Sequence, residues 1–228
     1  LSVPADTLIV YAGGNATLGS TTLGFGGFGG FQVSGTQAFL DNARTRGGTG
    51  PTSGTLASEF APWGGMLVFN SSLNWYTDPD VTTLEPFSGH DFYSVALHEL
   101  GHVLGLGVAA SWFRLVSGGV FTGSAALAAH GGAVPLTAAG DHWAEGVSSA
   151  GQEAAMDPTL LVGSRKTFTP LDVAALDDIG WDVQLPPTPE PAPVAAQVPL
   201  PPLAVALLAT LLAVAGARRA AGLRPARS

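Results

Sequence analysis

His98-Glu99-Leu100-Gly101-His102-Val103-Leu104-Gly105 is the stretch from which the rest of the chain can be read. On an α-helix, residues four apart share a face, so His98 and His102 point side by side. Two neutral imidazoles held that way can take two corners of a Zn²⁺ tetrahedron, with Glu99 placed beside them to accept a proton from an activated water. The helix has its own punctuation. Ser88 or Asp91 is suited to the N-cap, and Gly105 to the left-handed turn that ends it. Phe92, Val95, Leu97, Leu100, Val103 and Leu104 make it apolar on more than one side, which predicts a buried helix. A histidine pair and a carboxylate in such a helix are costly to desolvate without a partner, and a metal removes that cost. Gly101 and Gly105 each weaken a helix by about 1 kcal/mol relative to alanine. Local preference broken beside a polar trio marks a functional site.

The bulk composition narrows what such a site can be. There is no cysteine in the 228 residues, so any metal must be held by histidine and carboxylate. Residues 1–197 contain all 17 acidic residues and only Arg44, Arg46, Arg114, Arg165 and Lys166 as bases, a formal charge of −12. Residues 198–228 contain four arginines and no acid. An acidic body excludes nucleic acid as an expected partner, because phosphate binding needs a basic surface. The 31 glycines and 17 prolines predict a loop-rich protein.

Leu8-Ile9-Val10-Tyr11 reads as a short strand bounded by Gly13-Gly14-Asn15. No basic-then-apolar leader precedes it, and an export signal is expected to have been removed or to lie outside this numbering. Residues 24–30 are too glycine-rich for a helix and lack a phosphate-loop pattern, so a bulged loop is expected there. Gln37 to Arg46 predicts a helix stopped by Gly47-Gly48, and Met66 to Phe69 a buried strand. Asp78-Pro79-Asp80 offers carboxylates of the kind that hold a structural Ca²⁺, but solvated turn residues are the simpler reading and no calcium site is assigned. Thr122 is placed to cap a short helix from Ser124 to His130, with His130 and His90 read as structural. Thr169-Pro170-Leu171-Asp172 is a strong helix start, and Gly180 a stop.

Residues 186–197 are a Pro- and Ala-rich linker. Beyond it, residues 198–219 hold an apolar run of about the length that crosses a bilayer, closed by Arg218-Arg219. The arginine-tipped end is expected to stay cytoplasmic, which puts the acidic body outside. Transient or permanent membrane contact through 198–219 follows.

The H-E-x-x-H-x-x-G stretch with a later methionine turn resembles the metzincin zinc endopeptidases. In most of that clan the third ligand falls three residues after the glycine, where this chain has Val108. In the leishmanolysin-like branch a third histidine comes after an insertion, in a His-Trp context. His142-Trp143, followed by Glu153-Ala154-Ala155-Met156, is similar to that pattern. The resemblance implies His98, His102 and His142 as ligands of one catalytic Zn²⁺, Glu99 as general base, and Gly105 and Met156 as structural support. It covers roughly residues 60–182, and a likeness to bacterial matrixin-like secreted proteins accompanies it. The fold it implies is α+β, over residues 1–185: a twisted, mainly parallel sheet with the active-site helix in an N-terminal lobe (about 1–107), and a loop-rich C-terminal lobe (about 108–185) ending in a helix.

The tail, Val198-Pro199-Leu200-Pro201 with an apolar span and an Arg cluster, resembles the VPLP variant of the PEP-type C-terminal sorting signal. This likeness implies export by a Gram-negative bacterium to the cell surface or beyond, and processing of residues 198–228 by an exosortase-type enzyme. The expected activity is hydrolysis of peptide bonds in a protein or peptide substrate. The alternative is a catalytically silent, zinc-stabilised surface or matrix protein, against which the intact Glu99 argues, since a structural site has no need of a base. An adhesive domain with an incidental histidine pair is a third reading, and metal content separates it from both.

Overall fold

The computed structural model describes residues 7–183 with the exception of Leu84. Strand β1 (Ile9–Asn15) runs through the Gly13-Gly14-Asn15 expected to bound it. Strand β2 (Gly24–Phe28) follows, then helix α1 (Gln37–Thr45) and strand β3 (Gly64–Asn70). The three strands form one sheet in the order β1-β3-β2, with β1 parallel to β3 and β2 antiparallel to it. The sheet is therefore mixed, not mainly parallel. Only residues 16–23 join β1 to β2. A link that short turns the chain back, whereas a parallel return needs a crossover of about a dozen residues or more.

The strand β2 also corrects the loop expected over 24–30. Glycine is weak in a strand by itself, but here it permits a close approach. A Cβ on Gly26 would fall 2.2 Å from the carbonyl oxygen of Glu99, and one on Gly24 would fall 2.9 Å from that of Val68. Burial on β3 is one-sided. Phe69 packs inward on Phe92 with ring centroids 4.5 Å apart, whereas Met66, on the opposite face with Tyr11 and Phe25, is half exposed. The helix α1 starts at Gln37 as expected, behind a Thr36 cap that the sequence reading did not single out, but stops at Arg46, which takes φ 51° itself, one residue before Gly47. None of its residues is buried.

Short parallel strands β4 (Trp75–Tyr76) and β5 (His90–Asp91) lead into helix α2 (Phe92–Val103). Asp91 is the N-cap, accepting from the Ser94 N–H. Asp78, expected in a solvated turn, is instead enclosed. Arg165 donates to Asp78 Oδ2 at 2.8 Å and to both Asp91 oxygens, at 2.9 and 3.0 Å. The guanidinium ties the loop before α2 to the cap of α2.

After α2 come helix α3 (Ala110–Arg114), an antiparallel set of strands β6 (Val116–Ser117), β7 (Val120–Phe121) and β8 (Val134–Pro135), and helix α4 (Ser124–His130) between the last two. Strands β9 (Ser148–Ser149) and β10 (Gln152–Glu153) form a hairpin, and helix α5 (Pro170–Asp178) closes the series. Thr122 does not cap α4. Its hydroxyl donates to Leu115, and the start of α4 is served by Asp178 of α5, which accepts from the N–H groups of Ala125 and Ala126 at 2.9 and 2.8 Å. A carboxylate there suits the helix dipole better than a hydroxyl. The capping box of α5, Thr169 with Asp172 and Pro170 at its start, forms as its sequence predicts.

The core lies behind the end of α2, where Leu106, Trp112, Phe121, Trp143, Met156 and Ile179 are fully buried. Trp112, Phe121 and Trp143 pack with centroids 4.3 to 5.6 Å apart. Among the described residues no helix is long and apolar enough to cross a membrane. The linker over 186–197 and the apolar tail over 198–228 lie outside the described residues.

Candidate metal centre

The helix α2 sets the rings of His98 and His102 one turn apart, centroids 5.0 Å from each other. The third imidazole arrives from the loop between β8 and β9. His142 Nε2 lies 3.1 Å from Nε2 of His98 and 3.1 Å from Nε2 of His102. The opposite ring nitrogens are all engaged by oxygen: His98 Nδ1 with Ala155 O at 2.7 Å, His102 Nδ1 with Leu106 O at 2.8 Å, and His142 Nδ1 with Asp141 Oδ1 at 2.9 Å. Carbonyl and carboxylate oxygens only accept, so each Nδ1 carries a proton, and in the neutral ring that leaves a lone pair on each Nε2. Three lone pairs aimed at one point repel one another unless a cation sits between them. Nitrogens sharing a tetrahedral Zn²⁺ at its usual bond length stand about 3.3 Å apart, close to the spacing here. The donor set therefore fits a metal ion, and His98, His102 and His142 form a group that could hold one.

Electrostatics keep the two helix histidines ready for that role. Burial, then the neighbouring His102, drives the pKa of His98 down to about 3. Burial also lowers that of His102. Both are neutral across the physiological range, as ligand imidazoles must be. Glu99 is 5% exposed, and burial pushes its pKa up to about 7, partly offset by the Gly26 N–H of β2.

The other residues picked out by sequence fall into place around this centre. Gly105 has φ 104°, and a Cβ there would meet the Phe60 ring at 2.6 Å. Met156 lies fully buried under α2, where a Cβ on Gly101 would come 2.4 Å from its sulfur. Val108 lines the cleft without a donor atom. His130 and His90 stay outside the trio. The Nδ1 of His90 is buried without a hydrogen-bond partner, and its ring sits edge-on to Trp75.

Sequence reasoning missed the groups that hold the centre together. Asp172 is fully buried. It accepts from Trp143 Nε1 at 2.8 Å, from the Ala155 N–H at 2.9 Å and from the Met156 N–H at 3.2 Å. Through Trp143 it fixes the residue after His142, and through Ala155 the carbonyl that orients His98. The signal was present, since an acid at N3 of α5 was read as a cap, but a cap uses only part of a carboxylate's capacity. Lys166 was also passed over. Its ammonium donates to Glu153 at 2.7 Å, to Asp157 at 2.9 Å and to Thr159 O at 2.6 Å. It thereby bridges the two sides of Met156 and pairs with two of the three acids in a second cluster of Glu145, Glu153 and Asp157.

A cleft of about 420 Å³ opens over the trio, with Gly24 and Gly26 of β2 on one side and Pro158 and Leu160 on the other.

Residues 40–111 match the family model for matrixin. The matched segment contains His98, Glu99, His102 and Gly105, and it ends before His142. The chain is similar to Metalloendoproteinase 1 of Glycine max, 45% identical over 54 residues, which are 24% of this chain and 18% of that protein. It is also similar to Metalloendoproteinase 1-MMP of Arabidopsis thaliana, 44% identical over 54 residues, 24% of this chain and 15% of the relative. The alignments thus span less than a fifth of these curated relatives. No solved structure matches the chain. The matches support a matrixin-like segment around α2. A catalytic zinc is what that family implies.

Proposed function

We propose that this chain is a zinc-dependent endopeptidase. The observation that carries the reading is the convergence of three Nε2 lone pairs, each backed by an oxygen on Nδ1, beside a buried carboxylate at the floor of an open cleft. The matched segment around α2 and the metalloendoproteinase names of the relatives support it. His98, His102 and His142 would hold the ion, leaving its fourth side toward the cleft. Zinc, when bound, supplies a Lewis acid that polarises a carbonyl and lowers the pKa of a water.

The rest is done by the chain. Glu99, with a pKa near 7, is suited to take a proton onto a carboxylate oxygen during attack and to return it to the leaving amine, because both transfers are close to balanced at neutral pH. The main chain of β2 lies against Glu99 and fixes its carboxylate. Met156, fully buried, packs its thioether against Gly101 of α2 and keeps water from that side of the helix.

The test is cleavage of a casein-type substrate by wild type and Glu99→Ala, with and without a chelator. The chelator should abolish cleavage and added zinc restore it. Glu99→Ala should retain zinc and lose at least about 100-fold in rate, the usual contribution of a general base. Cleavage that survives chelation, or that survives Glu99→Ala unchanged, would overturn the proposal.

A further inference from the structure

The three imidazoles are not supported alike. His98 and His102 stand on a helix and give their Nδ1 protons to main-chain carbonyls. His142 comes from a loop, and its Nδ1 faces a side chain, Asp141 Oδ1, at 2.9 Å. That same oxygen accepts the Thr137 hydroxyl at 2.9 Å. The loop itself is closed by other bonds. The Thr137 N–H donates to His142 O at 3.0 Å, the Gly140 N–H to Thr137 O at 2.9 Å, and Trp112 Nε1 to Gly140 O at 2.8 Å. The backbone of Asp141 is seated on Gly107, where a Cβ would come 2.0 Å from its carbonyl oxygen. The path of the loop is thus set by groups other than the Asp141 carboxylate, which is left to act on the imidazole.

We propose that Asp141 is a positioning residue for the metal centre: its carboxylate, aimed by Thr137, holds His142 in the Nδ1–H form and strengthens it as a ligand. The proposal rests on the zinc reading of the trio. A carboxylate makes a charge-assisted bond to the imidazole N–H that is stronger than the bond to an amide carbonyl. Electron density drawn toward Nε2 in this way raises the basicity of the ligand. The chain places this support where it is needed most. His98 and His102 are presented together by α2, whereas His142 sits 40 residues beyond His102 and must be brought to the same point by a loop. The carboxylate is 40% exposed. Water screens part of its charge, so the expected gain lies at the lower end of what such partners supply.

The experiment measures zinc affinity by competition with a chromophoric chelator, together with thermal unfolding of the zinc-free proteins, for wild type, Asp141→Asn, Asp141→Ala and Thr137→Val. Asn keeps an oxygen that can accept from His142 but loses the charge. Asp141→Asn should therefore weaken zinc about 10-fold with little change in zinc-free Tm, and Asp141→Ala between about 10- and 100-fold. Thr137→Val, which leaves the carboxylate but not its aim, should lose less than Asp141→Ala. Variants that bind zinc within twofold of wild type would overturn the proposal and leave the zinc reading standing. A zinc-free Tm that drops in Asp141→Asn as far as affinity does would also overturn it, by making the residue a loop pin. A wild type that binds no zinc overturns both.

Discussion

Gly101 lacks a side chain, and Met156 takes up the space, so one residue's missing atoms become room for another's packing against α2. Glu99 shows the same exchange between local cost and function. Its pKa rises from an ordinary 4.5 to about 7 because burial disfavours the charged form. In the zinc-free protein the folded state therefore holds this proton more tightly than the unfolded state does. Stability from Glu99 is fully present below pH 4.5 and is lost as pH rises through about 7. His98 runs the other way, from 6.5 down to about 3, so stability is present above 6.5 and lost as pH falls through that interval. Zinc-free Glu99→Gln should accordingly be more stable than zinc-free wild type near pH 8, by about 3 kcal/mol, and the gain should vanish near pH 4. Urea denaturation at the two pH values reads this, and an equal effect at both would show that the burial of Glu99 does not set its proton affinity. The sequence showed why these three polar residues needed one another, because their spacing is local to a helix. It did not show how deep the carboxylate would sit, since that depth comes from a strand more than 70 residues earlier in the chain.

Among the elements, β2 and α5 position the site as much as α2 does. The glycines of β2 were read as a loop because propensity counts the side chain that is missing, not the neighbour that fills the gap. Their place in a strand is decided by the backbone of α2 at Glu99. The start of α5 was legible from Thr169, Pro170 and Asp172, yet Asp172 reaches past its own helix to Trp143, Ala155 and Met156. Asp172→Ala would leave several buried donors without an acceptor, each costing about 1–3 kcal/mol. The variant should lose about 4 kcal/mol of stability by urea denaturation and bind zinc more weakly, since the oxygen behind His98 and the anchor beside His142 are both released. A loss below about 1 kcal/mol with unchanged zinc affinity would show that the turn at Met156 holds itself.

Across the whole molecule, the legible part of the site is the part written within one helix. His98, Glu99 and His102 lie inside five residues of α2, where a period of 3.6 places them, and Gly105 follows just past its end. Arg165 with Asp78 and Asp91, and Asp172 with Trp143, join residues 29 to 87 positions apart, and no local pattern announces such pairs. His142 was reached through resemblance, and the structure brings it to the two helix histidines. The central claim is that these three imidazoles hold one zinc ion. The direct measurement is zinc content after dialysis for wild type, His142→Ala and His130→Ala. The account predicts about one zinc per chain in wild type and His130→Ala, and a loss of most of it in His142→Ala. Zinc retained in full by His142→Ala, or absent from wild type, would contradict it.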